Sequence, residues 1–227
     1  MNKDQLDLLV KQLNISQDQI LREEAEMVFL DALANHKIGT KVIFYGGTAM
    51  RLAYNSPRFS EDLDFIKIKP IEFSEFRQMI NGIVDNNSNW KLSDIKDKRQ
   101  TLFAVIVIKD EKLKHNFSIR IEIHKPSKKV DFKNELKLIK SPTSILDPLI
   151  LVPDLKVLKD LKIAALKNRK KARDIFDLWY LAQVLKEKFE LPQSLPKYSK
   201  REFKNELQVF LPSKYYSVID ELYEKIN

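Results

Sequence analysis

The sequence predicts an α+β fold, a mixed β-sheet core with helices at both ends. Three observations predict it. Residues 41–69 and 101–125 carry short apolar runs with strand-like alternation, both ends of the chain carry apolar residues at helical spacing, and the order is helices, then β-α-β-α-β-β, then helices again. At 227 residues the chain is long enough for one ordinary core with an appended helical part, or for two small domains. The pattern divides into an N-terminal helical segment at 1–40, a core at 41–150 and a C-terminal helical domain at 151–227.

In chain order, LDLLVKQL and QDQILREEAEMVFLDALANH read as two helices within 1–38, with Ser16 as N-cap of the second. KVIFY at 41–45 is β-branched and aromatic and stops at Gly46-Gly47, as a buried strand ending in a tight turn does. TAMRLAYN at 48–55 reads as a short helix, NSPRFSE as a loop, DLDFIKIK at 62–69 as a strand, and 72–86 as a helix followed by a polar turn. TLFAVIVIK at 101–109 and FSIRIEIHK at 117–125 read as a hairpin. The second alternates cleanly, with Ile119, Ile121 and Ile123 on one face and Arg120, Glu122 and His124 on the other. From about 155 two helices follow, DLKVLKDLKIAALKNRKK and ARDIFDLWYLAQVLKEKF. Pro192 and Pro196 then mark a break before two further helices at 199–210 and 213–226.

Composition excludes several classes. Hydrophobic residues at 44% and charged residues at 32% describe a globular chain rather than a disordered or fibrous one. The absence of cysteine rules out disulfides and thiolate metal sites, so a metal here must be held by oxygen or imidazole. The first residues carry acids and no apolar run, so no secretory signal is expected. The apolar stretches are too short to cross a bilayer, so no membrane contact is expected and a cytoplasmic location is. A net charge of +8 suits a polyanionic partner, or simply a lysine-rich surface.

Several groups of residues could carry chemistry. Gly46-Gly47-Thr48 stands between a strand and a helix, where bare backbone and free N–H groups can approach a phosphate. A strand-to-helix turn also favours small residues for its own sake. Asp62 and Asp64 are two apart on a strand, hence on one face, with Leu63 and Phe65 toward the core. Two neighbouring carboxylates repel unless a cation neutralises them, and hard oxygen donors select Mg²⁺ or Mn²⁺. The plain alternative is a solvated face with lysine partners. Glu122 lies mid-strand. If its strand neighbours that of the aspartates, three acids converge, enough for two metal ions. Lys162 emerges beside a core stripe, where it reaches a site or merely snorkels. Asp174 reads as a helix-start residue, Asp177 as an i+4 ion-pair partner of Arg173. The run Lys167, Arg169, Lys170, Lys171 and Arg173 reads as a phosphate-contacting face or a solvated one. The histidines make no metal site, and Phe176, Trp179 and Tyr180 read as helix core.

Taken together, GGTAMRLAYNSPRFSEDLDF resembles the first signature of the AbiEii/AbiGii toxin family, a branch of the polymerase-β nucleotidyltransferase superfamily. LKIAALKNRKKARDIFDLWYL resembles the second, and IRIEIHK falls between them where a third acid belongs. The resemblance covers about 41–182. It implies a nucleotidyltransferase-type sheet core and a transferase of the general class that moves a nucleoside monophosphate from an NTP to an acceptor. It further implies that Gly46, Gly47 and Thr48 hold the triphosphate, that Asp62, Asp64 and Glu122 bind two Mg²⁺ (or Mn²⁺), and that Arg58 and Ser60 position the loop or phosphates. Lys162 would contact the triphosphate, with Asp174 and Asp177 near the nucleotide or acceptor. Glu122 stands where many relatives have Asp. Family members are type IV toxins of toxin–antitoxin or abortive-infection systems, so the implied partners are an NTP, a tRNA or other RNA acceptor, and a cognate DNA-binding antitoxin. Two other functions fit the residues: a non-toxic transferase acting on a small molecule or protein, and a nucleotide-binding module without turnover.

Overall fold

The structure, a computed structural model, describes residues 1–192 and 197–226; Pro196, expected to help break the helices, lies outside the described residues. It begins with helices α1 (Lys3–Leu13) and α2 (Gln17–Ala34). Ser16 caps α2, its hydroxyl accepting from Gln19 N–H. A sheet follows, made of β1 (Val42–Tyr45), β2 (Asp62–Lys67), β3 (Trp90–Asp97), β4 (Thr101–Ile108) and β5 (Phe117–His124). Helix α3 (Gly46–Tyr54) joins β1 to β2, and α4 (Phe73–Asp85) joins β2 to β3. The strand order is β1-β2-β5-β4-β3. Only the β2–β5 pair is parallel, since the chain leaves β2, builds α4, β3 and β4, and returns beside it as β5.

The alternation in β4 and β5 fixes which face is which. Leu102, Ala104, Ile106 and Ile108, with Phe117, Ile119, Ile121 and Ile123, are all buried, as are Leu63 and Phe65 of β2. They join α1, α2 and α4 in one apolar core. Helix α2 is buried on most of its circumference, so the N-terminal helices belong to the core of the sheet rather than standing apart from it. The opposite face of β2 and β5 is left for polar side chains.

Three strands beyond the expected set appear. β3 falls where a polar turn is expected: it is an edge strand, and a register shift between Leu92 and Asp94 breaks its alternation. β6 (Asn134–Leu138) pairs antiparallel with β7 (Leu149–Pro153) in a small second sheet. β7 runs across residue 150, the boundary read from the sequence. The C-terminal part consists of α5 (Leu155–Asn168), α6 (Ala172–Leu185), α7 (Lys200–Gln208) and α8 (Tyr216–Ile226), built around a second apolar cluster that includes Leu166, Phe176, Phe203 and Leu222. Contacts that tie this cluster to the sheet side include Phe59 N–H to Phe210 C=O at 2.8 Å, Tyr180 hydroxyl to Tyr54 C=O at 2.6 Å, and a buried Arg58–Asp177 ion pair.

Candidate active site

The polar face of the sheet opens into a cavity of about 530 Å³ between β1, β2 and β5 on one side and α5, with the start of α6, on the other. Its floor is acidic. In the parallel β2–β5 ladder Asp64 lies opposite Glu122 and Asp62 opposite Arg120. Because side chains in register share a face, all three acids project into the same cavity. Tyr45 lies opposite Asp64 across β1–β2, so the row continues onto a third strand. Arg120 Nη1 stands 3.4 Å from Asp62 Oδ1.

Both glycines are demanded by their neighbours. They form the first turn of α3 rather than a turn before it. Gly46 has φ +87°, and a Cβ there would lie 2.5 Å from Asp64 Oδ2. A Cβ on Gly47 would lie 2.4 Å from Arg58 Nη2 and 2.7 Å from Ser60 Oγ. No side chain caps α3, so the N–H groups of its first turn have no capping side chain, and Gly46 and Gly47 of that turn line the cavity. Thr48 is placed differently. Its hydroxyl donates to Asp62 C=O at 2.7 Å, the side chain is buried, and it pins α3 to β2 instead of lining the cavity.

The opposite wall is basic, formed by Arg58, Lys162, Arg169, Lys171 and Arg173. Lys162 is almost buried, its ammonium 2.6 Å from Asp177 Oδ2 and 3.2 Å from Asp174 Oδ1. Arg58 forms a bidentate pair with Asp177 at 2.7 and 2.8 Å, and Arg169 a bidentate pair with Asp174 at 2.8 and 3.0 Å. Asp174 and Asp177 are fully buried and lie behind these cations, not on the cavity wall. This corrects the i+4 reading of Asp177. Arg173 turns instead to Glu206 and the Phe210 ring, while Asp177 takes Arg58 from across the chain.

The electrostatics follow the segregation. Burial, then the adjacent Asp62 and Glu122, push the Asp64 carboxyl up to about 7, against the pull of Lys162. Burial, then Asp64 and Glu122, push the Tyr45 hydroxyl up as well. Burial alone would raise Asp177, but Arg58 and Lys162 outweigh it and hold the group at about 2. Asp174 is likewise held below the ordinary range, Lys162 and Arg169 outweighing burial.

The donor chemistry of the floor fits a hard divalent cation: three carboxylates on one face, one of them destabilised as an anion by its neighbours. As the side chains stand they share a cavity but do not meet at one point. Among the described residues no three acidic or imidazole groups lie close enough to enclose an ion. His124 does not line the cavity.

This geometry is what a family relationship must explain. A model of the nucleotidyl transferase AbiEii toxin of type IV toxin–antitoxin systems matches residues 28–214. The chain belongs to this family. Comparison with curated proteins gives no match. Among solved structures, MenT4, a nucleotidyltransferase toxin of Mycobacterium tuberculosis H37Rv, is similar with a TM-score of 0.66 and 16% identity over 97% of this chain and 87% of that one. JHP933 of Helicobacter pylori is similar with a TM-score of 0.57 and 18% identity over 93% and 94% of the two chains. At these identities the likeness speaks for the nucleotidyltransferase-toxin fold.

Of the residues read from the AbiEii signatures, the cavity gathers Gly46, Gly47, Arg58, Ser60, Asp62, Asp64, Glu122 and Lys162, leaving Thr48, Asp174 and Asp177 behind its walls. It also holds Arg169, from the run that the sequence reads as a phosphate-contacting or solvated face, and Tyr45 and Arg120, to which the sequence gives no part in the site. Period two from Glu122 reaches Arg120, and the residue before the glycine pair is Tyr45, so both carried a signal. Among the described residues no helix is long and apolar enough to cross a membrane.

Proposed function

We propose that this AbiEii-family chain is a Mg²⁺-dependent nucleotidyltransferase that moves a nucleoside monophosphate from an NTP to a hydroxyl of an RNA acceptor such as tRNA, as the toxin of a system whose antitoxin is a DNA-binding protein. The observation that carries the reading is the in-register acid row of β2 and β5 facing a basic wall across one cavity. The acceptor oxygen forms a bond to the α-phosphorus, the bond from that phosphorus to the bridging oxygen breaks, and pyrophosphate leaves. Asp62, Asp64 and Glu122 would hold the metal, with Mn²⁺ as a substitute. The metal would supply charge neutralisation and make the attacking hydroxyl easier to deprotonate. The first turn of α3 offers N–H donors to phosphate oxygens. Lys162 and the basic wall balance the negative charge of the polyphosphate. Lys171 and Arg173, on the rim with Lys167 and Lys170 nearby in sequence, suit the phosphates of a nucleic-acid acceptor.

The test incubates the protein with each labelled NTP, Mg²⁺ and total tRNA in a cytoplasm-like buffer. Label on RNA, lost with Asp62→Asn and with chelator, is the expected result. Transfer undiminished by Asp62→Asn removes the metal mechanism. Label on protein or on a small molecule replaces the RNA acceptor.

A further inference from the structure

Asp174 and Asp177 are a helical turn apart on α6, have no exposed surface and do not reach the cavity. Every oxygen of the two carboxylates is occupied by a cation that does reach it. Asp177 accepts from Arg58 Nε at 2.7 Å and Nη2 at 2.8 Å, and its Oδ2 also lies 2.6 Å from Lys162 Nζ. Asp174 accepts from Arg169 Nε at 2.8 Å and Nη2 at 3.0 Å, and from Lys162 Nζ at 3.2 Å. Arg58 is turned inward: its third nitrogen donates to Phe59 C=O at 2.8 Å and its side chain is 2% exposed. Lys162 and Arg169 differ. An ammonium has three N–H donors, of which two meet the carboxylates and one remains. The Arg169 side chain is half exposed on the cavity wall.

Three cations against two acids leave one net positive charge, carried by the two side chains that face the cavity. Burying four charged groups, Arg58, Lys162, Asp174 and Asp177, is a poor way to gain stability, because desolvation offsets most of the attraction. Such a network is better suited to fixing orientation: each long, flexible cation is held at its charged end by a rigid buried carboxylate.

We infer that Asp174 and Asp177 are positioning residues, which hold Lys162 and Arg169 as a polyphosphate-binding pair while the Arg58–Asp177 clamp locks that wall to the loop before β2. Neither acid touches the substrate, and Arg169 becomes a phosphate contact. The inference rests on the nucleotidyltransferase reading.

The experiment is a double-mutant cycle on the full chain. Binding of each NTP with Mg²⁺, and of inorganic tripolyphosphate as a probe, is measured by calorimetry for Asp177→Asn, Arg58→Lys, Asp174→Asn, Lys162→Ala, Arg169→Ala and the doubles. Melting curves establish that each variant is folded at the assay temperature. Asp177→Asn and Arg58→Lys are each expected to weaken binding about tenfold in the natural background and less than about twofold once Lys162 is alanine, as coupled neighbours do. Asp174→Asn behaves likewise against Arg169→Ala. Equal losses in both backgrounds mean direct contact and overturn the inference while leaving the transferase reading intact. Lower melting temperature with full affinity means a scaffold only and overturns it as well. No NTP binding by the natural protein removes both. Should Asp177→Asn fail to fold, Arg58→Lys, which keeps the charge and loses the bidentate fit, carries the same comparison.

Discussion

Replacing Gly46 by alanine separates backbone cost from site geometry. At φ +87° a non-glycine residue pays the left-handed penalty. That penalty is about 1–2 kcal/mol. In a domain of this size each kcal/mol lowers the melting temperature by about 2–4 °C, so the expected fall is about 2–8 °C. The larger effect is local. The added Cβ would stand 2.5, 3.1 and 3.2 Å from Asp64 Oδ2, Cβ and Cγ. Rotating the carboxylate relieves only the first of these contacts, so the whole Asp64 side chain must move off the cavity floor. A displacement on the order of 1 Å at a reacting centre costs about 100-fold in rate. Urea or thermal denaturation reads the first effect, and labelled nucleotide transfer reads the second. Gly82→Ala is the control. It sits on the exposed side of α4, with nothing within 4 Å of its added Cβ. It should stabilise by about 0.4–1 kcal/mol through the unfolded chain and leave transfer alone. A Gly46→Ala protein that melts within about one degree of the natural one would refute the backbone penalty. Transfer that stays within about twofold would refute the displacement of Asp64.

Three further outcomes follow from the same geometry. Asp177 has a folded pKa of about 2, below its unfolded value, so its stabilising contribution is complete above the unfolded value and disappears as pH falls through the folded one. Acid unfolding followed by tryptophan fluorescence should therefore steepen between an unfolded carboxyl value of about 3.9 and the folded one, and Asp177→Asn should flatten that interval. At neutral pH the same substitution leaves Arg58 buried without its bidentate partner, and denaturant titration should show a loss of about 3–5 kcal/mol. Thr48→Val removes the hydroxyl that donates to Asp62 C=O. It should cost about 1 kcal/mol, read as a melting shift, and reduce transfer by loosening the strand that carries Asp62.

The face-sharing acids were legible because they rest on local rules. Period two places Asp62 and Asp64 together and sets Glu122 apart from its isoleucines, and the structure keeps each of those assignments. The parallel pairing of β2 with β5 was not local; it depends on the chain passing through two intervening strands, one of which, β3, has charged residues where a strand pattern wants apolar ones. The five-residue β6 has the same defect and was missed for the same reason, its NELKL being largely exposed with β7 as its paired strand.

The ion pairs show why spacing misleads even where the element is right. Arg173 and Asp177 lie four apart on a helix that the sequence reads correctly, and such a pair in water contributes about 0.3–0.5 kcal/mol. That is too little to decide where either side chain goes. Asp177 is fully buried, so its partner must be buried with it and must satisfy both oxygens. Arg58, 119 residues earlier, does this with two bonds, brought there by a loop whose next residue bonds to Phe210 in the turn after α7. Arg173, one-fifth exposed, is free to take Glu206 and the Phe210 ring. Gly47 then follows from the same choice: once Arg58 Nη2 lies where a Cβ would be, only glycine fits at the start of α3. The glycine pair that reads in the sequence as a bare approach for phosphate is therefore required twice over by the protein itself, by Asp64 at Gly46 and by the Arg58 clamp at Gly47. Its presence marks the assembled cavity before any ligand is considered.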